Sequence, residues 1–220
     1  MFARSGYGRL GRLSSFLLVL LPLVALGGCL QSKTLLLTDA DYVQPMPDEF
    51  TVFGYTAKDG VFKLNVEDDG TPKKTQFARA GGGYQPVGET SGMYFSLNGE
   101  NSYLIAITDT TGTYYGFAEI KGQLLLSNFI SAEPEKDLAR IREAADEGGR
   151  ATLDAVTFKD GSFQLASREA LLFLAERVRS GDLVLQGAPF YWLPGLVDGI
   201  DPATAPPTAL DAEGNPVSAG

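Results

Sequence analysis

MYFSLNGENSYLIAITDTTGTYYGFAEIKGQLLLSNF, residues 93–129, is the stretch that decides the fold. Asn98-Gly99, Asp109 to Gly112 and Lys121-Gly122 break it into four runs, 93–97, 102–108, 113–120 and 123–129. Each run is rich in β-branched and aromatic residues. Short strands joined by tight turns at such regular spacing form an antiparallel meander. Met93, Phe95 and Leu97 alternate onto one face, whereas Leu104, Ile105, Ala106 and Ile107 are apolar without interruption. A strand of the second kind is covered on both faces.

Working outward, residues 51–56 (TVFGYT) and 61–66 (VFKLNV) flank Asp59-Gly60, a pair suited to the positive φ angles of a type I′ hairpin. Short strands are expected at 75–80 and 84–87 within the loop-rich segment 67–92. One feature recurs. Lys58-Asp59-Gly60-Val61-Phe62-Lys63-Leu64 and Lys159-Asp160-Gly161-Ser162-Phe163-Gln164-Leu165 share K-D-G-x-F-x-L. Either a duplicated half-domain or the shared demands of a hairpin turn accounts for the echo.

The cover for the second face comes from the C-terminal third. Ser167 is an N-cap, Glu169 suits the first turn, and Gly181 follows Arg177 and Arg179 as a stop. Leu171, Leu174, Ala175 and Val178 form the apolar stripe between them. A weaker helix is expected from Pro134 to Glu147, ended by Gly148-Gly149 and, being mostly charged, lying on the surface. The expected fold class is α+β: an antiparallel β-meander sheet or partial barrel covered by one C-terminal helix, with a second helix on the surface.

At the other end, Arg4, Arg9 and Arg12 precede an apolar run, FLLVLLPLVAL (16–26), followed by Gly27, Gly28 and Cys29. Pro22 and the glycine pair interrupt it too early for a spanning helix, which needs about 20 apolar residues. A basic flank, a short apolar core and small residues make a signal peptide. Leu26-Gly27-Gly28-Cys29 resembles the lipobox of bacterial lipoproteins, with Gly27 where alanine or serine is usual. The resemblance implies a diacylglyceryl group on the Cys29 thiol, cleavage after Gly28, further acylation (palmitate-type chains), and membrane attachment through the lipid. Leu30, in place of aspartate, then implies the periplasmic face of the outer membrane. Expected organisation is a removed leader over 1–28, a lipidated tether and entry segment over 29–49 with Leu35, Leu36 and Leu37 docking, one β-rich domain over 50–198, and a disordered tail over 199–220.

The 220-residue chain carries 18 basic and 27 acidic side chains; losing the leader's three arginines takes the formal charge from −9 to −12. Nucleic acid is excluded as a partner, since phosphates call for a basic patch. Membrane contact falls to the lipid alone. The only cysteine is Cys29, so no internal disulfide forms.

Absence of histidine closes Ser-His-Asp and Cys-His catalysis and histidine metal sites, and no cofactor is expected. Gly81-Gly82-Gly83 lacks the Gly-Lys-Ser/Thr of a phosphate loop, and Glu67-Asp68-Asp69-Gly70 lacks calcium-loop spacing. Carboxylates remain for an envelope glycan hydrolase, with Glu89, Glu100, Asp109 and Glu119 near the meander. The other candidates are aromatic: Tyr94, Tyr103, Tyr114, Tyr115 and Trp192 could form a platform for a peptide or glycan, or serve as cross-strand packing, and Phe190, Tyr191 and Trp192 equally read as a strand sealing the core. The leading expectation is a non-enzymatic envelope lipoprotein that binds an envelope protein or glycan or supports envelope assembly; the alternative is the carboxylate hydrolase.

Overall fold

A computed structural model describes residues 28–200 and 205–217. In chain order it contains β1 (Leu30–Ser32), β2 (Tyr42–Val43), β3 (Glu49–Lys58), β4 (Val61–Leu64), β5 (Lys74–Ala80), β6 (Gly83–Pro86), β7 (Gly92–Gly99) and β8 (Ser102–Thr108). There follow β9 (Thr113–Lys121), β10 (Leu124–Ser131), α1 (Pro134–Ala144), α2 (Glu147–Leu153), β11 (Val156–Lys159), β12 (Ser162–Leu165), α3 (Arg168–Arg179), β13 (Leu185–Pro194) and β14 (Ala209–Leu210).

Eight strands close into a barrel: β3 pairs β5, the wall continues through β6, β7, β8, β9 and β10, and β13 returns it to β3. The chain is therefore α+β, mostly antiparallel β, with a closed barrel rather than a partial one. Among the described residues only β1 and β12 pair in parallel. Closure leaves the wall no free edge.

Among the described residues strand alternation builds three cores. Phe50, Val52, Phe77, Tyr84, Phe95, Ile105 and Phe190 point inward and fill the barrel. An eight-stranded barrel is just wide enough for such filling. Phe50 stacks on Phe77 with centroids 5.1 Å apart and meets the edge of Tyr84 at 5.2 Å. Outside, Leu104, Ala106, Tyr115 and Phe117 share a cluster with Leu171 and Leu174 of α3 and Leu138 and Ile141 of α1. The uninterrupted run at 104–107 thus has the two covers it demands, aromatic rings within and helices without. A smaller outer cluster joins Phe53, Tyr55 and Leu193 to Leu210.

Turn chemistry places the hairpins. Asp59 and Gly60 have φ of 55° and 81°, and Asp160 and Gly161 have 51° and 77°, so both K-D-G echoes are tight turns with two left-handed residues. Register is the same in each, Thr56 opposite Lys63 and Thr157 opposite Gln164. Beyond the hairpins the resemblance stops: β4 pairs β14 antiparallel, and β12 pairs β1 in parallel. At the β7–β8 turn the tip is Glu100-Asn101, with Asn101 at φ 55°, so Asn98-Gly99 belongs to the strand and not to the turn.

Ser167 caps α3 by accepting from the Ala170 N–H at 3.1 Å, and Gly181 ends it at φ +82°. The helix expected over 134–147 is instead two. Ala145 is extended (φ −73°, ψ 141°), and Asp146 starts α2 by accepting from the Gly149 N–H at 2.7 Å. Gly148 and Gly149 open a helix where a stop was expected. Nor is α1 merely superficial, because Leu138 and Ile141 are buried.

Both flanks of the domain are more ordered than expected. Leu35 and Leu36 pack on the outer core and Leu37 is buried, but ordered chain begins before them, at β1, so the tether expected over 29–49 is a wall strand at its start. In place of the disordered tail over 199–220, Ala209 and Leu210 are buried and pair with β4, and the Tyr55 hydroxyl donates to the Pro207 carbonyl at 2.7 Å. Residues 201–204 and 218–220 of that tail lie outside the described residues.

One contact in the wall has no tolerance. A Cβ added to Gly187 on β13 would lie 1.6 Å from the Ser127 carbonyl oxygen of β10. Gly187→Ala is expected to lower stability by about 1–3 kcal/mol, as overpacking does. A reduced urea midpoint at unchanged slope checks this, and an unchanged midpoint would refute it.

Candidate functional site

The segment around Cys29 is where the sequence resemblance and the fold meet. Leu26 and Gly27 lie outside the described residues. Gly28 threads between β10 and the β11–β12 turn, its N–H donating to the Gly161 carbonyl and its own carbonyl accepting from the Ser131 N–H at 3.1 Å. Its φ is +81°, and an added Cβ would sit 2.2 Å from the Ser131 oxygen. Only glycine fits.

Cys29 is 2% exposed and belongs to the barrel's inner cluster. It bridges Ile130, and its carbonyl accepts from the Phe163 N–H at 2.8 Å. Burial pushes the thiol up to about 11, so at neutral pH it stays protonated and unreactive. Leu30, fully buried, turns the other way into the helix-side core, paired with both Phe163 and Tyr115. Leu30 therefore has a structural duty in the fold.

Tyr115 fixes the next few residues. Its hydroxyl accepts from the Leu36 N–H at 2.7 Å and lies 3.0 Å from the Ser32 hydroxyl, while burial raises its own ionisation above the usual tyrosine range. A second clamp follows. Asp41 accepts from the Thr38 N–H and hydroxyl, both at 2.8 Å, and pairs with Arg168 at the start of α3 through Nε at 3.1 Å and through Nη2. Arg168 above all, with Thr38, holds the Asp41 carboxyl down near 2. The clamp also offsets an arginine placed at the positive end of a helix dipole.

The aromatic candidates do not form one platform. Tyr94 and Tyr115 flank Ala106 on the outer face, Tyr115 buried and Tyr94 half-buried with its ring 5.0 Å from that of Tyr42. Tyr103 and Trp192 pack against the inner cluster instead, Tyr103 edge-on to Phe95 at 5.9 Å. Tyr114 is half-buried and shares a 3.1 Å hydrogen bond with the Thr111 hydroxyl. The Trp192 indole N–H has no partner among the described residues.

The strand register puts Glu100 and Glu119 toward one end of β8 and Glu89 and Asp109 toward the other. Glu100 occupies the β7–β8 tip, and Asp109, at the other end of β8, accepts from the Thr111 and Gly112 N–H groups. Glu119 pairs with Lys121 at 3.1 Å, and Glu89 accepts from the Ser91 hydroxyl at 3.2 Å. Among the described residues no group of three acidic, cysteine or histidine side chains could hold a metal.

Two concavities among the described residues bear on the site. Inside the barrel a small cavity of about 30 Å³, open on one side, is lined by Val52, Met93, Ile107, Phe129 and other mostly apolar groups. On the surface, a groove of about 400 Å³ separates Ser32, Lys33, Thr34 and Leu36 from Asp154, Thr157 and Gln164. Lys33 and Asp154 bring opposite charges to it. Nothing local in sequence foretells this groove, because it exists only where the chain leaves β1 and diverges from β12.

Comparison with known protein families, with characterised proteins and with solved structures returns no match.

Two outcomes check the clamps. Tyr115→Phe leaves the Leu36 N–H without its acceptor and is expected to lower stability by about 1–3 kcal/mol; a change below the error of a denaturation curve would contradict that role. For Asp41, a carboxyl held low in the fold stabilises it above the unfolded value near 4, and that contribution disappears as pH falls through about 2. Asp41→Asn should therefore lower the urea midpoint at pH 7 and match the parent near pH 2, whereas a gap independent of pH would refute the assignment.

Proposed function

We propose that the chain is a membrane-anchored cell-envelope lipoprotein whose barrel is a non-enzymatic binding or assembly module. The observation that carries the anchor is Leu26-Gly27-Gly28-Cys29 at the end of a basic, apolar leader. Two or more acyl chains hold a protein to a bilayer stably, at about 0.8 kcal/mol for each buried methylene. With a formal charge of −12 after processing, the domain gains nothing from anionic headgroups and depends on the lipid. Leu30 in place of aspartate supports the periplasmic face of the outer membrane as its location.

A binding role is supported by what the barrel offers. Its interior is packed with side chains, leaving the outer surface for recognition, and the groove between Lys33 and Asp154 opens a few residues after Cys29. A protein or glycan partner in the envelope suits this polar, two-signed groove. The hydrolase alternative has no observation in its favour, because each carboxylate considered for it serves a turn, a hydroxyl or an ion pair, or lies exposed at a hairpin tip.

Cys29→Ser tests the anchor. The substitution is expected to abolish incorporation of labelled palmitate and to leave the leader uncleaved; a variant still processed and still retained by an acyl chain overturns the lipoprotein reading. For the binding role, a partner captured from detergent-solubilised envelopes should be lost with Thr157→Arg in the groove, and capture unaffected by that change would move the interface elsewhere.

A further inference from the structure

We propose that the groove between Lys33 and Asp154 binds an extended peptide segment of a partner protein, which lies along the open edge of β12 and brings an acidic group to Lys33 and a basic group to Asp154. This rests on the binding role of the groove and adds the class of partner. Backbone, charge and lining each point to a peptide.

The backbone offers an interrupted ladder. β1 stays beside β12 only as far as Gln31 opposite Gln164, and among the described residues no strand takes its place beside Leu165 and Ala166. The Leu165 side chain is buried in the helix-side core, so this residue presents backbone to the groove. On the other wall the Lys33 N–H has no partner among the described residues. An open strand edge is a template for pairing with another chain, and an extended segment laid along it gains main-chain hydrogen bonds.

Charge sets the pattern of the segment. Lys33 and Asp154 bring opposite signs to the groove, yet neither side chain has an ion-pair or hydrogen-bond partner among the described residues. Asp154 also sits against the preference of its own helix. It is the C-cap of α2, where the dipole favours a cation. A local rule broken with no local gain is the mark of a position kept for function.

The lining separates a peptide from a glycan. Leu36, Ala155 and Ala166 supply apolar contact, and the Thr157 hydroxyl and Gln164 amide supply polar contact, but the lining includes no aromatic ring on which a sugar could lie. A volume of about 400 Å³ suits a few residues of extended chain and not a folded surface.

The probe is a phage-displayed library of random heptapeptides, panned on the full chain in detergent micelles. Selected sequences are expected to carry one acidic and one basic residue at a fixed separation, enriched about tenfold or more over the same library panned on Thr157→Arg. Lys33→Glu should remove the acidic preference and Asp154→Lys the basic one. Both positions are exposed and a cation suits the end of α2, so both variants should keep the parent's far-ultraviolet dichroism. With a selected peptide bound, the Lys33 amide should exchange about threefold slower or more while the Leu171 amide inside α3 keeps its rate; an unchanged Lys33 rate overturns the proposal. So does a library that yields no enrichment, or enrichment indifferent to Lys33 and Asp154. Binding of a chitin oligosaccharide that Thr157→Arg abolishes, with no peptide selected, makes the occupant a glycan and leaves the binding role of the groove standing. An envelope partner captured equally by the parent and by Thr157→Arg removes that role, and the peptide with it.

Discussion

Backbone hydrogen bonding along β9 is the constraint on which the rest of the molecule depends. One edge of β9 pairs with β8 from Thr113 to Glu119, but the other edge is divided, Phe117 to Lys121 going to β10 and Thr113 to Tyr115 going to β1. A barrel wall cannot leave buried amides unpaired without losing about 1–3 kcal/mol for each. Where β10 departs toward β13, the three residues of β1 fill the gap. By filling it they carry the β11–β12 hairpin, and with it the helices, onto the outside of the barrel.

That division of labour explains the arrangement of the cores. The inner face of β9 bears Gly116 and Ala118, small enough for the phenylalanine-rich interior, and a Cβ on Gly116 would come within 2.5 Å of the Phe129 ring. Its outer face bears Tyr115 and Phe117, the large groups against which Leu30 and the helices pack. The Tyr115 hydroxyl then reaches the segment leaving β1, and Asp41 extends the same path to α3. The segment from Gly28 onward, the barrel wall and the helical cover are one connected unit.

Much of the barrel was legible because its signals are local. Turn residues such as Asp59-Gly60 and Asp109 to Gly112, flanked by alternating apolar runs, locate β3, β4 and β7 to β10 to within a few residues, and Ser167 and Gly181 bracket α3. Closure was not legible, since the β10–β13–β3 pairing joins segments more than 50 residues apart and no local pattern reports it. β1 escaped notice for a related reason: Leu-Gln-Ser is too short to show a period, and its two partners lie more than 80 residues downstream. Ala209 and Leu210 are only two apolar residues in a polar tail, yet burial against Phe53 and Tyr55 orders them. Tyr115 was open between a binding platform and cross-strand packing, and its burial against Leu30 gives it the packing role. Its alternation with Gly116 and Ala118 was the available clue, because small residues belong on the crowded face.

The central claim is that the residues directly following Cys29 are part of the barrel wall. Through-space proton contacts in the NMR spectrum of the folded protein test it most directly. A wall strand at Leu30–Ser32 gives contacts from Leu30 to both Tyr115 and Phe163, one pattern antiparallel and the other parallel. Sharp random-coil resonances for residues 29–34, beside an intact set of β8–β9 contacts, would contradict it.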